Sequence, residues 1–216
     1  MYWKNRGKMM IFDSKELSRE KNAELITGCV VPRPIAFVTT INHVGKINAA
    51  PFCFFSIVSI DPPMLSISCM RKKDGQMKDT AYNIWKHGEF VVHIVDNFQL
   101  HNVVASSKEY PYDVSEAEEV GLHLVESNFV SVPSLKSAKI KLECELYDIV
   151  PLKTDEGKDS ADILLGRVKG FNIDDSLLEG NKLVPERVKP ICRLDGEHFS
   201  QVTEIFQIKK SLYHHC

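Results

Sequence analysis

Two segments carry side chains whose types and spacing could do chemistry: Asn48-Ala49-Ala50-Pro51-Phe52, and the run 66–80 with Arg71, Lys72, Lys73, Lys78 and Thr80. In the second, Arg71, Lys72, Lys73 and Lys78 come with several hydroxyls just before the expected start of a helix. Free backbone N–H groups and the positive dipole end favour an anion there, and a phosphate suits such a place. Arg71-Lys72-Lys73 alone also reads as a solvated basic loop. Asp79 is placed to cap the helix while Lys78 and Thr80 reach towards a ligand, although an ordinary capping sequence has the same pattern. In the first segment, small Ala49 and Ala50 followed by Pro51 expose backbone between aromatic residues, so a planar ring could lie against them. Proline in a strand is tolerated mainly at an edge or bulge, so an edge strand filled with core phenylalanines fits the same residues.

Other chemistry finds little support. There is no Gly-x-Gly-x-x-Gly, no Walker loop, no His-Glu-x-x-His and no Gly-x-Ser-x-Gly, which weakens the familiar nucleotide folds, zincins and serine hydrolases. His43, His93, His101 and His123 lack paired metal-ligand spacing, and no metal site is expected. The terminal Tyr213-His214-His215-Cys216 reads as a frayed end. The six cysteines are scattered without a Cys-x-x-Cys pair, so buried thiols are expected rather than disulfides or a zinc clamp. Cys53 lies among Phe52, Phe54 and Phe55, and apolar neighbours oppose thiol reactivity.

A net charge of −2 offers no general attraction to phosphate backbones or anionic lipid, so neither nucleic acid nor a membrane surface is an expected partner. The longest apolar run, around 49–58, falls short of the roughly 20 residues that cross a bilayer. The basic start lacks an apolar signal core, and a cytoplasmic location is the expectation. The 216 residues show no repeat or linker and read as one domain, with 1–13 a loose extension.

The elements that must position the two segments follow from periodicity. A helix is expected over 15–26, with Asp13 or Ser14 as cap and Gly28 as stop. Strands at 35–41 and 47–55 flank a turn at 42–45, and a third follows at 64–70, with Leu65, Ile67 and Cys69 facing opposite to Ser66 and Ser68. Residues 75–86 read as a helix, 90–95 as an apolar strand, and 97–106 as a second helix. The carboxylate-rich stretch 108–119 reads as a solvated excursion with a short helix, or as a lid. The strand 138–150 alternates, with Ile140, Leu142, Cys144 and Leu146 opposite Lys141, Glu143 and Glu145, and its polar side is expected to face water. Further strands fall at 162–173, 190–194 and 199–208. Six or more antiparallel strands with short peripheral helices imply a mainly β protein of α+β type, a closed β-barrel.

Pro32-Arg33-Pro34-Ile35-Ala36-Phe37-Val38-Thr39-Thr40, Asn48-Ala49-Ala50-Pro51-Phe52-Cys53-Phe54-Phe55, Asp61-Pro62-Pro63, Lys78-Asp79-Thr80-x-x-Asn83 and Gly88-Glu89-Phe90-Val91-Val92 together resemble the flavin reductase-like family of FMN-binding split-barrel proteins. Flavoredoxin-like members are nearest in pattern, and the likeness runs over about 24–206. The resemblance implies a homodimeric split β-barrel holding FMN near the subunit interface. Thr39, Asn48, Ala50, Pro51, Phe52 and Ser56 would surround the ring, and Ser68, Arg71, Lys78, Asp79 and Thr80 would bind the ribityl chain and phosphate. Arg193-Leu194-Asp195-Gly196-Glu197-His198-Phe199 stands where the family usually has Arg-Leu-Gly-Gly-x-x-Tyr, so Asp195 and Phe199 depart from the pattern. His198 there would be a surface residue or approach the flavin from the partner chain.

The implied activity is an FMN-dependent oxidoreductase passing electrons from NAD(P)H or a redox protein through FMN to an acceptor. The flavin supplies the chemistry, so no catalytic acid, base or nucleophile is expected from the chain. A non-catalytic FMN-binding electron carrier or flavin-storage protein without a nicotinamide site is the alternative.

Overall fold

The computed structural model describes residues 9–108 and 114–208. Its main sheet contains seven strands: β1 (Ala36–Ile41), β2 (Ile47–Phe52), β3 (Phe55–Ile60), β4 (Pro63–Met70), β5 (Glu89–Ile94), β6 (Ile140–Lys153) and β7 (Asp159–Ile173). They run β2-β1-β5-β6-β7-β4-β3, with every pairing antiparallel. This is the split barrel that the resemblance implies rather than the fully closed one that the strand pattern suggests, and β2 and β3 are the two edges of the sheet. Register shifts between Leu165 and Gly166 and between Val168 and Gly170 disturb the β6–β7 ladder, and such bulges increase twist and bend a strand. Gly166 is required there by close approach, since a Cβ on it would lie 2.3 Å from Cζ of the buried Phe90 ring.

Alternation divides the core between two faces of β1. Ala36 and Val38 face the sheet interior with Phe52, Leu65, Ile67, Phe90 and Leu164, where Ala81 and Ile84 of helix α2 (Asp79–His87) also pack. Ile35 and Phe37 turn the other way, towards Val103 of α3 (Leu100–Ala105), Ala117 of α4 (Glu116–Glu119) and Leu135. The N-terminal helix α1 spans Arg19–Cys29.

That helix begins later than the expected 15–26, because Asp13 instead makes a local turn, accepting the Lys15 N–H at 2.9 Å. Its cap is Ser18, whose hydroxyl accepts the Lys21 N–H, and it buries no residue. The buried Arg33 guanidinium donates to the carbonyls of Thr27, Val30 and Leu194, tying its end to the C-terminal region. There the short strand Arg33–Pro34 pairs with Ile191–Arg193, which pairs in turn with Phe199–Gln201. The strand expected over 199–208 is thus confined to its first three residues.

The polar side of 138–150 does not simply face water. Lys141 and Glu143 are buried, because the segment carrying Asn128 and Phe129 covers that face of β6. Within 108–119, α4 is the expected short helix, and 109–113 fall outside the described residues, as do 1–8 of the expected extension and the terminal Tyr213-His214-His215-Cys216. Among the described residues no helix is long and apolar enough to cross a membrane, no group of three metal-ligating side chains comes together, and every cysteine is free. Burial pushes the Cys69 thiol up to about 12 and raises that of Cys144 as well, as expected of thiols acting as packing groups.

Candidate functional site

The edge strand β2 is paired on one side only, where Pro51 loses little by lacking an N–H. On its open side, Ser115 Oγ donates to the Ile47 carbonyl at 2.7 Å and stitches the start of α4 to the strand. Between this seam and the basic turn before α2 lies a cleft of about 470 Å³, within the range of small-molecule sites. Asn48, Ala50, Pro51 and Phe52 line it from β2, and Lys72, Lys73, Lys78, Asp79 and Thr80 from the basic turn and α2. Ser106, Ser107, Lys108 and Glu116 complete the lining.

A buried polar network forms its floor. Thr80 Oγ1 donates to Asn48 Oδ1 at 2.8 Å, and Asn48 Nδ2 donates to Glu116 Oε1 at 2.6 Å. Behind them Asn83 Nδ2 donates to Thr40 Oγ1 at 3.1 Å. Glu116 Oε2 is buried yet has no hydrogen-bond partner. Burial pushes the Glu116 carboxyl above its ordinary range; its own backbone N–H, the Asn48 amide and the Ala49 N–H oppose the rise, and the like charge of Asp79 adds to it.

The cleft is graded along its length. Asn48 lies two residues from Ala50 on one face of β2, and its partner Thr80 lies two residues beyond Lys78, so the polar floor separates an apolar end from a cationic one. At the cationic end Lys72 Nζ lies 2.7 Å from Asp79 Oδ1. Lys73, Lys78 and Lys108 make no ion pair among the described residues, leaving their charge for an anion.

Of the residues expected around a ligand, Asn48, Ala50, Pro51, Phe52, Lys78, Asp79 and Thr80 meet here, whereas Thr39, Ser56, Ser68 and Arg71 do not. Thr39 points to the opposite face of β1, where its hydroxyl donates to the Pro133 carbonyl at 2.8 Å; Thr40 is the neighbour that turns towards Asn48. Ser56 is exposed on edge strand β3, and Ser68 lies on β4 outside the lining. Arg71 is occupied, its Nη2 donating to Asp162 Oδ1 at 2.7 Å and its Nη1 to the Gly75 carbonyl at 3.1 Å. Asp79 lines the cleft but is not the helix cap; that position is Lys78, and Asp79 binds Lys72 instead. Lys72 and Lys73, which the sequence offers both as phosphate-binding cations and as a solvated loop, line the cleft, as do Ser106, Ser107, Lys108 and Glu116, which the motifs do not point to. The capping pattern of Ser115 and Glu118 signals the α4 start, but nothing local marks Glu116 as buried.

A second cavity, about 560 Å³, lies across Pro51 and Phe52, with Cys53, Val103, Arg193 and Phe199 in its wall. The Arg193 guanidinium stacks 4.6 Å from the Phe199 ring centroid. His198 is exposed and bonded to Asp195 Oδ1 at 2.8 Å.

Residues 27–187 match the model of the flavin reductase like domain. The chain belongs to the flavin reductase-like family. This flavin reductase-like protein is 37% identical to nitrilotriacetate monooxygenase component B from Bacillus cereus, with a TM-score of 0.90 over 94% of this chain and 100% of that one. It is 31% identical to the 2-nitrobenzoate 2-nitroreductase NbaA of Pseudomonas fluorescens, with a TM-score of 0.81 over 93% and 95% of the two chains. Flavoredoxin of Desulfovibrio vulgaris (Miyazaki F), at 17% identity and a TM-score of 0.72 over 84% and 93%, shares the fold. These neighbours associate the flavin reductase-like chain with flavin-related redox chemistry. The graded cleft fits such a cofactor: an apolar end for a flat ring, hydrogen-bonding groups in the middle with one buried acceptor unsatisfied, and lysines at the far end.

Proposed function

We propose that this protein is an FMN-dependent oxidoreductase, taking electrons from NADH, NADPH or a redox protein and passing them through FMN to an acceptor. The observation that carries the reading is the Thr80–Asn48 hydrogen bond, which joins the ring shelf of β2 to the cationic turn before α2 in one cleft. Ala50, Pro51 and Phe52 hold the isoalloxazine, small side chains and a proline letting a flat ring approach the backbone. Asn48 and Thr80 orient the ribityl chain. Lys78 and Lys73 bind the phosphate, whose negative charge the first turn of α2 also favours. FMN supplies hydride and single-electron chemistry when bound. The chain's own task is to fix the ring and to keep its phosphate end charged and its ring end apolar.

We further propose that the chain acts as a single unit that pairs into a homodimer through β3. That edge strand leaves Ile57, Val58 and Ile60 71%, 50% and 88% exposed, a row of apolar side chains on an unpaired edge that a second copy would cover. Light scattering on a sizing column should return twice the chain mass.

An absorbance scan of the purified protein with FMN, followed by anaerobic NADH and then NADPH, tests the function. Bound flavin that bleaches with either nicotinamide supports the oxidoreductase. Flavin that binds and stays oxidised with both turns the reading into a carrier awaiting a protein donor. A protein that leaves the FMN spectrum unperturbed overturns it.

A further inference from the structure

We propose that Glu116 is a flavin-recognition residue whose carboxylate accepts hydrogen bonds from the polyol hydroxyls of the ligand. The proposal deepens the flavin reading and rests on it. Glu116 is only 8% exposed, yet it belongs to the cleft wall. One oxygen is held by Asn48 Nδ2 at 2.6 Å; the other, buried as well, has no partner. A buried acceptor left unsatisfied is costly, and buried polar atoms in folded proteins nearly always find a donor. Glu143, a still more buried carboxylate on β6, illustrates the usual state, with the backbone N–H groups of Asn128 and Phe129 on its oxygens.

Position selects the kind of donor. Asn48, to which Glu116 is bonded, stands between the apolar shelf and the lysine end, so Glu116 lines the cleft beside the middle of a bound ring–polyol–phosphate molecule. The polyol hydroxyls are the donors there. The seam from Ser115 to Ile47 fixes the α4 start against β2, so the carboxyl is placed before a ligand arrives.

A hydroxyl donor favours the ionised carboxylate, so binding opposes the burial that raises this group's pKa. Polyol affinity is then highest above the raised pKa of the free protein and falls as the pH is lowered through it. The charged groups facing the site are Asp79 on α2, Lys72, Lys73, Asp74 and Lys78 in the basic turn, and Lys108 after α3; the cleft-facing residues of β2 add no titratable group. Of these, Asp79 adds to the raised pKa.

The test is a set of fluorescence titrations across pH 5 to 8 with riboflavin, which has the polyol without a phosphate titrating near pH 6, and with lumiflavin, which lacks the polyol. Riboflavin affinity of the native protein should fall on acidification while that of lumiflavin stays level. E116Q should bind riboflavin about tenfold more weakly at pH 8, the loss expected of a charge-assisted hydrogen bond, and show no acid dependence. Equal riboflavin affinity in E116Q and native protein at every pH would overturn the assignment while leaving the flavin reading in place. Lumiflavin weakened as much as riboflavin would overturn it too, by moving Glu116 to the ring. Native protein that binds neither riboflavin nor FMN overturns both. Should E116Q melt too early to titrate, the native riboflavin and lumiflavin profiles decide alone.

Discussion

Two regions of the molecule bury a glutamate, and they treat it in opposite ways. On β6, Glu143 is fully enclosed and its oxygens accept from Asn128 and Phe129, so the carboxylate is a fastening for the segment that covers the sheet. At the β2 edge, Glu116 is nearly as buried and lines a cleft, but one of its oxygens is left without a hydrogen-bond donor. Burial alone does not separate structure from function; completeness of hydrogen bonding does, because an acceptor already satisfied gains nothing from a ligand. Ion pairing divides the cations in turn. Arg71 is spent on Asp162, whereas Lys78, seven residues on, faces the cleft without an ion pair among the described residues.

The strongest way to break the comparison is Glu143→Ala. It leaves the N–H groups of Asn128 and Phe129 without their acceptor, and a loss of about 3 kcal/mol or more in folding stability is expected by urea titration. Flavin affinity of the remaining folded protein should be unchanged; a selective loss of affinity instead would contradict the division.

Arg71→Ala and Lys78→Ala form the sharper pair. The first strands the buried Asp162 carboxylate and should cost about 2 kcal/mol of stability with little effect on FMN binding. The second should leave the melting temperature alone and weaken FMN binding by about 1.5 kcal/mol, with riboflavin unaffected because it has no phosphate to lose. An FMN affinity that follows Arg71 rather than Lys78 would exchange their roles.

His93 extends the fully satisfied class to a base. It is wholly buried on β5, its Nδ1 bonded to the Phe37 carbonyl at 2.8 Å and its Nε2 accepting the Leu135 N–H at 3.0 Å, so both ring nitrogens are used by the neutral form. Burial depresses its pKa to about 3 from an ordinary 6.5. Between those values the unfolded chain takes up a proton that the folded one refuses. This contribution is complete above pH 6.5 and is lost at up to about 1.4 kcal/mol per pH unit as the pH falls towards 3. Urea midpoints of the native protein and His93→Gln across that range measure it, and parallel profiles would show that His93 is not responsible.

Much of this was legible because it is local. Alternation along 64–70 set Leu65, Ile67 and Cys69 inward on β4, and the structure keeps them there. Pro51 marked an edge strand, which β2 is, and the motifs of the resemblance placed Asn48, Lys78 and Thr80 together. Strand periodicity states that Thr39 and Thr40 face opposite ways, but not which of them meets the cleft.

What remained depends on partners distant along the chain. Arg71, expected beside a phosphate, follows β4 directly and has its guanidinium bonded to Asp162 of β7, ninety-one residues away in the chain. Glu116 and Glu143 sit in runs that read as solvated carboxylates, and only their packing against β2 and the 128–129 segment buries them. The strands, the basic turn and the small-residue shelf are readable from the chain alone, because residue size, branching and period act within a few positions. Folding alone sets the split between β2 and β3, which charges are neutralised and which buried carboxyl oxygen is left without a donor. Those outcomes follow from desolvation and long-range pairing, which act only once the sheet has folded.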